Sequence, residues 1–173
     1  MNIFVVDEDP FAAASQLCDK HVVKMIVEGC QMLSTIHRLA GSHVIHAPVE
    51  LYKASFENHP CTVWARQSQH NYFWLADHTF ALSNEYTHRY GKIHKAHNMT
   101  RWFTIHLPNG LTNTKPTPFA QAMPDKYKQA NAVQAYRDYY IHEKARFAKW
   151  KFTNEPEWFT EGVKNVSMQV LSA

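Results

Sequence analysis

Glycine and cysteine are both scarce in this chain of 173 residues, at five and three. No glycine stands in a GxGxxG or GxxxxGK[ST] pattern and no GxSxG occurs, so a phosphate-cradling loop and a nucleophile elbow are absent. Most nucleotide-cofactor enzymes and serine hydrolases are thereby excluded, and no cofactor is expected. Cys18, Cys30 and Cys61 form no CxxC pair and are odd in number, which speaks against a disulfide framework and fits a reducing compartment. No run approaches the ~20 apolar residues of a membrane span, and the first residues lack the basic stretch and apolar core of a signal peptide. A soluble, cytoplasmic protein with no membrane partner is the expectation.

What is present is apolar, aromatic and histidine-rich. Hydrophobic residues make up 45% and charged residues 19%, a globular balance, and the length suits one domain over 1–173. "NIFVV" (2–6) reads as an extended segment or short strand, followed by the turn "DEDP" with Asp9 as cap and Pro10 opening a short helix. A second helix is predicted over about 19–40, stopped near Gly41, and 41–58 reads as a loop. One long helix or two consecutive ones follow between Pro60 and Gly91, then a proline-rich connection over 104–125. A last helix is expected over about 131–150, with Tyr136, Tyr140, Phe147 and Trp150 inward and a polar, frayed tail after about 159. The fold class is mainly α, a single helical domain.

The helix at 19–40 carries a stripe that asks for an explanation. At 100° per residue, Val22, Ile26, Gly29 and Leu33 share one side, while His21, Lys24, Glu28, Gln31 and Thr35 share another. His21 and Glu28 lie seven residues apart, about 10 Å along the axis, with Lys24 between them. A solvated face with a Lys–Glu pair accounts for this without function. A carboxylate on a largely buried helix, however, must be paired or functional, and the stripe is predicted to face a pocket shared with the last helix.

Charge is divided unevenly. From His88 to Lys151 twelve Lys or Arg residues face three acids, a surplus of nine, and the remainder is acidic. Such polarity points to a polyanion, DNA or a nucleotide first. "YTHRYGKIHK" (86–95) interleaves aromatics with cations, a composition that suits a phosphate backbone with stacked bases. Arg89, Lys92, His94, Lys95, Arg137 and Lys144, with Lys24, are the expected nucleic-acid contacts on one positive surface. The pairs His43/His46 and His94/His97 lack the spacing of a zinc site, so no bound metal is expected. A metal-dependent nuclease built on Asp7, Asp9 and histidines stays open as one alternative, and a non-catalytic nucleic-acid-binding protein as another.

"CDKHVVKM", "NHPC", "TPFAQAMP" and "AYRDYY" together resemble a family of small proteins encoded by tailed phages. "DKHVVKMIVE" also resembles the phage pyrimidine-dimer DNA glycosylases of the endonuclease V type. Those are helical single-domain proteins whose N-terminal amine attacks the sugar C1′ of a damaged nucleotide. An early helix in them carries a His and, seven residues later, an essential Glu. The resemblance implies catalytic roles for His21 and Glu28 and an amine nucleophile at Met1 or Asn2, with DNA as partner in a host cytoplasm. Two positions depart from the pattern: Asn2 stands where those enzymes expose Thr after Met removal, and Val27 where they place Arg. A glycosylase acting on a damaged or modified base is the leading expectation.

Overall fold

The computed structural model describes residues 1–41, 47 and 50–171. Among these residues there are seven α-helices and no strand: α1 (Pro10–Gln16), α2 (Asp19–Leu39), α3 (Pro60–Ala65), α4 (Gln69–Tyr90), α5 (His97–Phe103), α6 (Ala132–Lys144) and α7 (Glu157–Leu171), with a 3-10 turn at Asp125–Tyr127. No helix among them is long and apolar enough to cross a membrane.

Local chemistry explains most boundaries. The Asp9 carboxylate accepts the Phe11 and Ala12 amides, and Pro10 supplies a first-turn residue with no amide to satisfy. Ser68 caps α4 in the same way, and Gly91 ends it in the left-handed conformation at φ 63°. The stretch 60–90 is thus two helices, broken at Arg66–Ser68. The short helix α5, which the pattern did not announce, follows directly. Residues 2–6 are buried but form no strand, because Asn2 Oδ1 accepts the Ile3 and Phe4 amides and Phe4 takes φ 37°.

Two further boundaries depart from the sequence reading. The helix expected to run to 150 stops at Lys144, and the chain then bends so that Lys149 O accepts the Asp19 amide at 2.8 Å. The tail expected to fray from about 159 contains α7. Phe159 is buried against Tyr140 and Trp150, and Trp158 Nε1 donates to Gln16 Oε1 at 2.6 Å. Two aromatics at the start of that segment bury enough apolar surface to dock an otherwise polar helix.

Helices α1, α2 and α4 form the centre. α2 and α4 approach closely at Gly29, where an added Cβ would run into the Thr79 side chain. Arg89, its side chain fully buried, locks the end of α4 to the corner between α1 and α2. Its Nη1 donates to Asp19 Oδ1 and Leu17 O, both at 2.9 Å, Nη2 to Ser15 O at 2.9 Å, and Nε to Glu85 Oε1 at 2.7 Å. Asp19 also accepts the Lys151 amide with both oxygens, at 3.0 and 3.1 Å. A planar fork with five N–H groups fills this socket as no ammonium can.

Removing the guanidinium leaves two carboxylates without their cation and two carbonyls without their donor in a largely dry space. Arg89→Met is expected to cost about 3–5 kcal/mol of unfolding free energy, and Arg89→Lys to recover only part. Chemical denaturation checks this; a change below about 1 kcal/mol, the surface-pair range, would show that the socket is not structural.

Candidate active site

The site is assembled where the first residues of the chain cross the middle of α2. Glu28 projects from the third turn of α2 with its side chain 12% exposed. Its Oε2 accepts the Asn2 backbone amide at 3.0 Å and lies 3.7 Å from the Met1 terminal amine, while Lys24 Nζ sits 3.3 Å from Oε1. The Asn2 side chain holds this crossing in place. Its Oδ1 satisfies the next two amides and its Nδ2 donates to Ala122 O at 2.8 Å. The left-handed backbone of Phe4, a conformation costing about 1–3 kcal/mol outside glycine, turns its ring onto His21, centroids 4.3 Å apart and nearly parallel.

His21 is 7% exposed and bonds through Nδ1 to the Tyr140 hydroxyl of α6 at 2.7 Å. The same hydroxyl oxygen accepts the Cys18 amide at 2.9 Å. With the phenolic proton on the bond to His21 Nδ1, the neutral ring carries its own proton on Nε2. Burial, then the nearby Lys144 and Lys24 ammonium groups, pull its pKa from 6.5 down to about 3. A neutral His21 on the same stripe as Glu28, two turns away, suits a contact to sugar or phosphate oxygen.

The structure brings Met1, Asn2, His21, Lys24 and Glu28 together, and adds Lys144, whose Nζ donates to Tyr139 OH at 3.0 Å and lies over that ring. Phe4, Tyr139 and Phe147 provide aromatic walls around them. The other expected nucleic-acid contacts do not join this group. Arg89 is a correction: all its bonding goes inward to the socket described above, so it offers nothing to a phosphate. Arg137 Nε donates to Val6 O at 2.9 Å and its guanidinium faces Asp7 and Trp158, bracing the N-terminal segment. Lys92 and Lys95 are exposed on the loop after α4, and His94 Nδ1 accepts the Ala96 amide at 3.1 Å. One continuous surface made of all these cations is not what the fold builds.

The metal alternative fares as follows. Asp9 is used as a helix cap and Asp7 accepts from Gln16 and faces Arg137. No three His, Cys, Asp or Glu side chains come together in a metal-sized group among the described residues. His97 accepts or donates to Ser83 rather than joining His94, and the pair His43/His46 lies outside the described residues.

With this geometry in place, comparison with known families is informative. A family model described as pyrimidine dimer DNA glycosylase matches residues 1–99. The matched span contains Met1, Asn2, His21, Lys24 and Glu28 and ends inside α5; Tyr140 and Lys144 lie beyond it. Curated proteins and solved structures give no significant match.

His21 yields a direct test. A folded-state pKa of about 3 against 6.5 unfolded means the folded chain resists protonation that the unfolded chain accepts. Stability therefore rises with pH between those values and is lost on acidification below 6.5. His37 and His78, buried and lowered to about 4, add to the same slope. Nitrogen-detected NMR is expected to show His21 as the neutral Nε2–H tautomer from pH 8 to below 5. An ordinary titration near 6.5 would contradict the assignment.

Proposed function

The chain belongs to the pyrimidine dimer DNA glycosylase family, and on that footing we propose that it excises a damaged or modified pyrimidine from DNA by attack of its own N-terminal amine. The observation that carries this reading is the Glu28 carboxylate at 3.0 Å from the backbone nitrogen of Asn2 and 3.7 Å from that of Met1. Few functions require a buried acid on a central helix to hold the very start of the chain. An amine nucleophile with a carboxylate beside it is one of them.

The chemistry follows from that pair. An unprotonated α-amine directs its lone pair at C1′ of the target nucleotide. The C–N bond forms as the glycosidic bond breaks, and the bonding electrons leave with the base, which takes up a proton. Glu28 receives the proton that the amine sheds, and its negative charge stabilises the cationic sugar in the transition state. The nitrogen lone pair then forms a C=N bond as the C1′–O4′ bond opens, and O4′ takes its electron pair and the proton held by Glu28, leaving an imine between chain and sugar. Lys24 and Lys144 supply phosphate contacts, and His21 donates its Nε2 proton to backbone oxygen. The rings of Tyr139 and Phe147 are placed to stack against displaced bases.

Either nitrogen can serve. Removal of Met1 would make the Asn2 nitrogen, the one closer to Glu28, the free amine; Asn at the second position hinders that removal. Intact mass of the purified protein distinguishes the two states.

Duplex DNA carrying cyclobutane pyrimidine dimers, and duplexes with defined modified pyrimidines, are the substrates to test, with mass spectrometry for released base. Glu28→Gln preserves volume and the hydrogen bond to the Asn2 amide. It is expected to lower excision about 10²–10⁴-fold while changing stability by less than about 1 kcal/mol. Unimpaired excision by Glu28→Gln would remove the catalytic role. Tight DNA binding with no base released from any duplex would favour the non-catalytic reading.

A further inference from the structure

The segment "NHPC" (58–61) has no part in the site so far, yet the fold delivers it there. His59 is the N-cap of α3, with Pro60 at the first helical position, and its Nδ1 accepts the Cys61 amide at 3.2 Å. Ser, Thr, Asp and Asn fill this role at lower cost, so the imidazole is more than capping requires. Cys61 is fully buried, its thiol close to the Ile3 backbone and to Tyr136. The approach to α3 is pinned to α2 by paired bonds between Thr35 Oγ1 and the Ser55 backbone, both 3.0 Å. Thr35 lies seven residues beyond Glu28 on the stripe, as His21 lies seven before it. His59, four residues after Ser55, comes within electrostatic reach of the charges at Met1 and Glu28.

Two charges act on the His59 ring, the N-terminal ammonium and the Glu28 carboxylate. Burial and the ammonium lower its pKa while the carboxylate opposes them. Because Nδ1 is occupied as an acceptor, the neutral ring carries its proton on Nε2. The side chain is half exposed, and no protein acceptor meets Nε2 among the described residues. A partly exposed N–H donor within reach of those two charges is left without a protein acceptor among the described residues.

We propose that His59 is a further catalytic residue of this site, donating from Nε2 to a sugar–phosphate oxygen of the nucleotide whose C1′ meets the N-terminal amine. The assignment rests on the glycosylase reading for its substrate and on the geometry of 58–61 for its residue. A strand lying with C1′ at the amine offers O4′ and the flanking phosphate oxygens as nearby acceptors. A neutral donor held in place by a helix cap orients that backbone without adding charge that would compete with the nucleophile for Glu28.

The test separates capping from contact. His59→Ser retains a good N-cap and lacks the imidazole; His59→Ala lacks both. His59→Ser is expected to melt like the wild type yet excise about 100-fold more slowly in single turnover. His59→Ala is expected to lose the same activity and several degrees of melting temperature. Wild-type excision by His59→Ser would overturn the proposal. A second readout does not depend on turnover: the His59 Nε2–H resonance of Glu28→Gln protein, titrated with a duplex bearing a tetrahydrofuran abasic analogue. A clear shift is expected. An unmoved resonance on saturation would also overturn it. A shift in a protein whose wild type releases no base would leave His59 as a DNA contact and sink the glycosylase reading instead.

Discussion

One carboxylate governs the organisation of the site. Glu28 sits on a helix that is buried on most sides, and it receives the first two nitrogens of the chain, 26 residues away in sequence. A buried carboxylate without partners is costly, and the N-terminal crossing with Lys24 meets that requirement. The consequence reaches outward. With the crossing fixed, Asn2 folds the next two residues into a tight turn, Phe4 is forced into a left-handed backbone, and its ring orients His21. α6 then closes the arrangement through Tyr140, whose hydroxyl joins the Cys18 amide and His21 Nδ1.

Two groups of charges in the molecule have opposite roles. The Arg89 socket consumes its cation completely, spending two carboxylates and two carbonyls on a corner between helices. Around Glu28 the cations are left partly free: Lys24 is 69% exposed, and Lys144 donates to the Tyr139 phenol and forms no ion pair among the described residues. The first arrangement favours rigidity; the second leaves charge available to a polyanion. The rigidity serves the site, because Asp19, held by Arg89, is the first residue of the helix that carries both His21 and Glu28.

Much of this was legible in the sequence. Helical periodicity alone placed His21, Lys24 and Glu28 on one stripe, and Asp9–Pro10 and Gly91 marked helix ends by their local chemistry. What escaped depends on partners distant in sequence. Arg89 reads as one cation in a basic run, since Asp19 and the carbonyls of Ser15 and Leu17 lie about 70 residues earlier. His59 escaped because the charges that act on it, at Met1 and Glu28, lie far earlier in the sequence. α7 escaped because its docking aromatics Trp158 and Phe159 meet partners on α1 and α6 earlier in the chain, and α5 because seven residues give too short a period to recognise.

The most direct test of the central claim is chemical capture of the bond that the Glu28–amine pair is placed to form. Protein incubated with a cleavable damaged duplex and sodium borohydride would have its imine reduced to a stable amine, and peptide mapping by mass spectrometry would locate the DNA adduct. The account predicts an adduct on the α-amine of residue 1 or 2, lost in Glu28→Gln. An adduct on the Nζ of Lys24, or base release with no adduct at all, would contradict it.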